Sequence, residues 1–442
     1  MVKMIQIPQF LIAAPSSGSG KTTVSRGLMA ALVRRGLSVQ PYKCGPDYID
    51  TKFHAAVCGC PSVNLDTFMA SPEHVRRLYA HYAEGADVCV AEGMMGLFDG
   101  YDRDRGSSAE IAALLGLPVV LVVDARSAAY SITALLNGFR HFRPDTHLAG
   151  VLFNKVGSQR HGALLQEACA DVGLPCLGCL PKDEALVQKS RYLGLDFSQK
   201  GNGYSADYLA DWIERYVDIP CLLQMVTRPL AKAESPFGQH LSGNQHTVFL
   251  RDAESFSFIY TEHLDILRRM GEVTFLNPEE DTPLPPDTNL LYLPGGYPEK
   301  HAVRLSEAKH CIGSIHDYIE QGGRTLAECG GMMYLSRGIR FDEEPTFVPL
   351  CGALPFAISC RKEERKLSLG YRQFHYQGQA LRGHEFHYSQ LLQEKGATWP
   401  ASVAQVYDAK GQEVPTPVFR YKNLLASYTH LYWGETDILQ LF

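Results

Sequence analysis

The chain has no apolar stretch long enough to cross a bilayer. Its longest apolar run, residues 112–123, is broken by Gly116 and Pro118, whereas a spanning helix needs about 20 apolar residues. It also lacks an excess of positive charge. Its 42 Lys and Arg stand against 48 Asp and Glu, a net charge of -6, and the two signs are mixed throughout, so the broad basic field of a nucleic-acid binder is excluded. Its cysteines lack regular spacing. Cys58 and Cys60 form C-x-C, and Cys176 and Cys179 form C-x-x-C with no second pair following; this fits neither a disulfide framework nor a zinc site and points to a reducing cytoplasm. No internal repeat is present. Lys3 and the apolar run ending at Ala13 and Ala14 imitate a secretion signal, but cleavage there would remove the strand that leads into GSGKTT, so export is not expected.

What is present is an ordinary globular composition, 45% hydrophobic and 20% charged over 442 residues, enough for two or three domains. Up to about residue 182, continuous apolar strands (FLIAAP, LSVQPY, DVCVAE, PVVLVVD, LAGVLFNKV, CLGCLP) alternate with helical patterns, including residues 22–35 and 127–142. This predicts a parallel sheet covered on both faces, with ligands at the strand C-termini. A polar helix over 205–217 and the segment TRPLAKAESPFGQHLSGNQ follow. That Pro-, Gly- and Ser-rich segment reads as a linker, giving domains 1–235 and 236–442. The second half restarts the pattern with HTVFLRD, helices over 258–270 and 308–320, NLLYLPGG and RTLAEC. Aromatic alternating segments after residue 350 predict antiparallel strands added to its sheet. The expected fold is α/β, with two doubly wound domains.

GSGKTT, residues 18–23, follows a strand and opens a helix. In that setting the backbone of Gly18, Ser19 and Gly20 cradles phosphates, Lys21 reaches the β and γ phosphates, and Thr22 ligates Mg2+, with Thr23 beside them. Pro15 occupies the first glycine position, so the loop is atypical. KCGPDYIDTKFH supplies Lys43, Asp47, Tyr48 and Asp50. The carboxylates are candidates for holding magnesium or orienting an attacking oxygen, and Lys43 for neutralising an anionic substrate; an Asx-turn is the plain alternative. AEGMMGLFDG adds Glu92, placed like the acidic metal partner of P-loop enzymes, and Asp99. The metal candidates are therefore Thr22, Asp47 and Glu92. Asn154, in NKV, is a candidate reader of the adenine edge, with a plain turn residue as the alternative, and Asp124 is either a helix N-cap, the preferred reading, or a neighbour of the ligand.

In the second half, TLAECGGMMYLS places Cys329 where a strand gives way to a helix, a position expected to lower its pKa. Gly295 and Gly296 of LPGGYPE offer backbone N–H groups to an oxyanion. His430 of SYTHLYW is the candidate base, with His384 and His387 of GHEFHYS as competitors.

Together these motifs resemble the cobyrinate a,c-diamide synthase family over essentially the whole length. The second half is similar to its class I glutamine amidotransferase domain, with LPGGYPE as the oxyanion turn, AECGGMMYL as the nucleophile elbow and SYTHLYW carrying the histidine. The first half is similar to its dethiobiotin synthetase-like amidoligase domain. The resemblance implies ATP- and glutamine-dependent amidation of the a and c carboxylates of cobyrinate, through acyl phosphates, in cobalamin biosynthesis. The implied partners are ATP with Mg2+, L-glutamine and a tetrapyrrole, in a cytoplasmic enzyme without nucleic acid or membrane, and a homodimer is among the assemblies it admits. Related substrates, hydrogenobyrinate or nickel-sirohydrochlorin, stand as alternatives.

Three positions depart from the pattern. Tyr432 stands where many amidotransferases carry a glutamate two residues after the histidine, Glu435 is badly placed to replace it, and Thr51 stands where many relatives have proline. A partition ATPase of the MinD kind is the alternative of another class. Ser17 at its signature-lysine position and the presence of a second domain argue against it. A regulatory module fused to an inactive amidotransferase is the remaining alternative, and intact Cys329 and His430 argue against that.

Overall fold

Strands of Val, Leu and Ile that are apolar on both faces can be stable only when covered on both faces, and the N-terminal strands are buried in this way. In the computed structural model, which describes residues 5–186, 205–232, 234–238, 243–252, 254–392 and 400–442, they are β1 (Gln6–Ala13), β2 (Val39–Cys44), β3 (Val63–Leu65), β4 (Val88–Glu92), β5 (Val119–Asp124), β6 (Leu148–Val156) and β7 (Cys176–Pro181). They pair in parallel in the order β3-β2-β4-β1-β5-β6-β7. Phe10, Ile12, Val90, Val122 and Leu152 are fully buried in its core with Val24 and Leu28 of the helix Lys21–Arg34, each contributing about 1.5–3 kcal/mol of burial. Because β2, β4 and β1 are neighbours, their C-terminal ends bring the GSGKTT, KCGPDYID and AEGMMG loops to one sheet edge.

The expected linker differs in part. Thr227–Pro229 forms a strand, β8, antiparallel to β1 through Pro8↔Thr227, Ile7↔Arg228 and Gln6↔Pro229. Residues 233 and 239–242 of that linker lie outside the described residues. The chain divides into units Met1–Pro236 and Phe237–Phe442.

The second unit has a sheet of β9 (Gln245–Leu250), β10 (Gly271–Leu276), β11 (Leu290–Leu293), β12 (Arg324–Glu328) and two later strands. Between those come β13 (Gly338–Arg340), β14 (Phe347–Pro349), β15 (Ala357–Ser359), β16 (Ser368–Tyr376), β17 (Gln379–His387), β18 (Gln390–Leu392), β19 (Val406–Tyr407) and β20 (Glu413–Val414). The remaining strands are β21 (Val418–Tyr421), β22 (Leu424–Ser427) and β23 (His430–Tyr432). The main order is β10-β9-β11-β12-β22-β21, parallel except at β21. The aromatic strands are not added to this sheet, as the alternation suggested, but form their own, β20-β19-β16-β17-β23. The physical reason is a two-residue hairpin: Gln377 and Gly378 both have positive φ, 47° and 77°, the turn geometry that matches strand twist, so β16 takes β17 as its partner. No helix among the described residues is long and apolar enough to cross a membrane.

Candidate functional site

In the N-terminal unit, Gly18 and Gly20 have φ of 80° and 95°. Glycine adopts that backbone without a Cβ penalty. A Cβ on Gly20 would also lie 2.2 Å from Asn154 Nδ2. Ser19 Oγ donates to the Ser16 carbonyl at 2.9 Å, and Lys21, mostly buried, donates to the Met95 carbonyl. Burial, then the nearby Lys43 charge, lowers the Lys21 pKa, while Glu92, Asp50 and Asp99 act in the opposite sense. A cavity of about 890 Å3 lies beside the loop, lined by Gly18, Gly20, Lys21, Thr22, Thr23 and Asn154 together with Arg126, Lys155, Lys182 and Trp212.

At the same edge a buried ionic cluster forms. Thr22 Oγ1 lies 2.7 Å from Glu92 Oε1 and 3.4 Å from Asp50 Oδ2. Lys43 Nζ is 3.3 Å from each of those two carboxylates and donates to the Gly93 carbonyl at 3.0 Å. His54, fully buried one turn after Asp50, places Nε2 2.8 Å from Glu92 Oε2, and its Nδ1 is 3.2 Å from Ser62 Oγ. Burial opposes both charges, but Glu92 and Asp50 outweigh it at Lys43 and hold its pKa above the ordinary value. Lys43, His54 and Thr22 outweigh it at Glu92 and keep that carboxylate ionised far below its ordinary range. Two carboxylates and a hydroxyl around one point form the hard oxygen set that suits Mg2+.

Several expectations change here. Asp47 takes the Asx-turn alternative: its Oδ1 accepts the N–H groups of Ile49 and Asp50 at 2.8 and 2.9 Å while its charge still acts on Lys43, and it is Asp50 that reaches Thr22 and Lys43 directly. Lys43 is 2% exposed, with its ammonium paired to Asp50 and Glu92. Asp99 Oδ2 accepts the Gly96 N–H at 2.9 Å, with its field reaching Lys21; Tyr48 is buried. Asn154 braces the loop, donating from Nδ2 to the Ser19 carbonyl at 3.0 Å and accepting from Lys155 N, which leaves one Nδ2 hydrogen for a base edge. Asp124 is not a helix cap; the following helix starts at Ile132 behind Ser131, and Asp124 instead pairs with Arg126 and Lys155 at 2.8 and 2.9 Å. Lys155 Nζ also reaches the Gly18 carbonyl at 3.2 Å. The sequence reading missed it although it sits next to Asn154, and it missed His54, whose i+4 spacing from Asp50 was the available signal.

In the C-terminal unit, Cys329 sits between β12 and the helix Gly330–Leu335 with φ 45° and ψ -106°, a conformation that costs a non-glycine residue about 1–3 kcal/mol and is characteristic of functional turns. It is held by Cys329 N–H to the Ser427 carbonyl at 2.8 Å and by Met333 N–H to its own carbonyl at 2.9 Å. Four glycines allow the segments to close. A Cβ would meet His430 Cε1 at 2.1 Å if placed on Gly295, the Ser255 carbonyl at 2.2 Å on Gly296, the Gly296 carbonyl at 2.9 Å on Gly330, and the Leu293 carbonyl at 2.2 Å on Gly331. The Gly-Gly turn thus lies against the His430 ring on one side and the residue after Cys329 on the other. Glu328 ties the same parts together: Oε1 accepts from Leu431 N at 3.1 Å and Oε2 from Tyr292 Oη at 2.8 Å.

The electrostatics correct one expectation. Cys329 is not acidified by the short helix behind it; burial, followed by the neighbouring Glu299 carboxyl, pushes its thiol up. Burial, then His384 and His387, lowers His430 to about 3, leaving a neutral imidazole able to take a proton. Of the competitors, His387 has both ring nitrogens engaged, by Glu385 at 2.7 Å and the Ser389 carbonyl at 2.8 Å, and stacks on Tyr428. His384 is the register partner of His430. Tyr432 donates to buried Glu262, and Glu435 is exposed.

Residues 10–192 match the family model of the CobQ/CobB/MinD/ParA nucleotide binding domain, and residues 247–438 that of the CobB/CobQ-like glutamine amidotransferase domain. The chain is 40% identical over 431 residues to the hydrogenobyrinate a,c-diamide synthase of Brucella abortus biovar 1 (strain 9-941), covering 96% of this chain and 98% of that one. It is 41% identical to the protein of that name from Rhizobium meliloti (strain 1021), covering 95% and 98%. The cobyrinate a,c-diamide synthase of Caldanaerobacter subterraneus subsp. tengcongensis is 38% identical, with coverage of 96% and 94%.

Proposed function

Since the chain belongs to the family of hydrogenobyrinate and cobyrinate a,c-diamide synthases, we propose that it amidates the a and c carboxylates of cobyrinate in cobalamin biosynthesis, using ATP and glutamine. It is a glutamine-dependent amidating ligase with a nucleotide-binding unit. A carboxylate does not condense with ammonia in water because its leaving group is poor. Phosphorylation by ATP gives an acyl phosphate and ADP; ammonia then attacks the acyl carbon and phosphate leaves. Ammonium is not a nucleophile, so neutral ammonia is made in place from glutamine.

In this reading the Gly18–Ser19–Gly20 backbone and Lys21 hold the ATP phosphates, while Asn154, Lys155 and Thr23 shape the nucleotide cavity. Thr22, Asp50 and Glu92 would hold Mg2+, which would offset phosphate charge; Lys43 and His54 keep those carboxylates ionised and aimed. Asp47 fixes the start of the helix Asp50–Cys58, and Tyr48 and Asp99 face the incoming carboxylate. In the second unit, Cys329 gives its proton to His430 as its sulfur bonds to the glutamine amide carbon, with Gly295 and Gly296 donating to the oxyanion. Ammonia leaves, and water releases glutamate.

The observation that carries this reading is the buried Thr22–Asp50–Glu92–Lys43 cluster at the mouth of a phosphate loop. Hydrogenobyrinate is the second reading, because relatives at 40–41% identity bear that name. Incubating the protein with ATP, glutamine and a panel of tetrapyrroles with and without cobalt, followed by mass spectrometry, decides between them. A product lighter by two carboxyl-to-amide conversions, each replacing OH by NH2, is expected from cobyrinate. Amidation of the metal-free ring alone selects the second reading, and no amidated ring at all rejects both.

A further inference from the structure

Position 432, two residues beyond His430, is a tyrosine whose hydroxyl donates to Glu262, so His430 has no carboxylate on its own strand. The neighbouring strand carries one. β17 pairs with β23 through Arg382↔Tyr432, Gly383↔Leu431 and His384↔His430, and Glu385 follows His384. It is 2% exposed. Its Oε2 accepts from Arg372 Nε at 2.5 Å and Thr416 Oγ1 at 2.6 Å, and its Oε1 lies 2.7 Å from His387 Nε2. Burial opposes ionisation, but His387, Thr416 and Arg372 outweigh it and hold the carboxyl down to about 2. One residue further, the Phe386 carbonyl lies 4.0 Å from Cys329 Sγ. Glu385 therefore adjoins, along one short strand, both the segment over the thiol and the register partner of the base.

The charges around the pair favour this group. His430 is faced by His384 and His387, which disfavour a proton on it, and by Glu385, which favours one. Cys329 is faced by Glu299, Glu385 and Glu328, each of which opposes a thiolate; burial raises Glu299 and Glu328 to about 7 and about 8, so at neutral pH Glu299 is partly ionised and Glu328 mostly neutral, whereas Glu385 is charged. We propose that Glu385 is the positioning carboxylate of the amidotransferase site, a fixed negative charge on β17 that supports the His430 imidazolium and holds residues 384–387 over Cys329. It rests on the assignment of Cys329 and His430 as thiol and base. The charge it supports arises when the proton moves from Cys329 Sγ to His430 as the carbon–sulfur bond forms.

The test compares Glu385→Gln, Glu385→Asp and Thr416→Val in the full chain. Glutamine hydrolysis by Glu385→Gln is expected to fall at least about tenfold in kcat with KM nearly unchanged. The acidic limb of its pH–rate profile should move to lower pH, because an imidazolium without that charge loses its proton more easily, while ammonia-supported synthesis stays intact. Thr416→Val removes a bond to the same carboxylate but not its charge, and should leave the limb in place. An unmoved limb in Glu385→Gln, or an equal move in Thr416→Val, overturns the proposal. Should the glutamine variant not fold, Glu385→Asp decides: it keeps the charge, so its limb must stay at the wild-type position, and a moved limb overturns the proposal. Cys329→Ala run alongside separates the two levels, since retained glutamine hydrolysis there refutes the thiol assignment and not Glu385 alone.

Discussion

Replacing Glu328 by Gln is expected to stabilise the C-terminal unit at neutral pH and to destabilise it in acid. Glu328 is 2% exposed; burial, only partly opposed by its bonds to Tyr292 and Leu431, raises its carboxyl from 4.5 to about 8. Between those values the folded state keeps a proton that the unfolded state has released, so stability falls as pH rises, by ~1.4 kcal/mol per pH unit. This amounts to about 3 kcal/mol at pH 7 and about 5 kcal/mol above pH 8. Glutamine abolishes the titration and keeps the geometry, its carbonyl accepting from Leu431 N and its amide donating to Tyr292 Oη. The Tyr292 O–H loses its acceptor, at a cost of about 1 kcal/mol. The net expectation is a gain of about 2 kcal/mol at pH 7, or about 4–8 °C for a unit of this size, growing to pH 8 and reversing below about pH 5. Thermal unfolding of both proteins from pH 4.5 to 8.5 measures it. A difference that is constant with pH, or a variant less stable at pH 8, would refute the reasoning.

Lys21→Ala should remove ring amidation with either glutamine or ammonia as nitrogen source, because a fixed charge at the phosphates serves activation itself, while glutamine hydrolysis persists; ammonia-supported synthesis at the wild-type rate contradicts the ATP assignment. Glu92→Gln leaves Lys43 buried with one carboxylate fewer, and should cost the N-terminal unit about 3–5 kcal/mol in denaturant unfolding as well as its synthetase activity. An unchanged midpoint would show that the cluster is not a mutually supporting ion network.

What was legible in the sequence is what local pattern determines. GSGKTT between a strand and a helix, and Cys329 between RTLAE and a glycine pair, state their own backbone context, and the apolar runs state the parallel sheets. Illegible were relations made only by tertiary pairing. Asp47 and Asp50 are equivalent in composition, and only the fold decides that one caps a turn while the other meets Thr22 and Lys43. Asp124 looked like a cap because nothing local announces Lys155, 31 residues away. The acidified thiol failed because helix proximity is visible in sequence and desolvation is not. The hairpin through Gln377 and Gly378 was readable as a turn, but that its strands would build a separate sheet and carry His430 at its edge depends on β23, far along the chain.

The most direct measurement of the central claim, that Cys329 supplies ammonia to a separate ATP-dependent amidation, is ring amidation by Cys329→Ala with glutamine and, separately, with high ammonium. The account predicts that amidation from glutamine is lost and amidation from ammonia is largely retained. Glutamine-dependent turnover at the wild-type rate would contradict it, making Cys329 a buried thiol without a catalytic part.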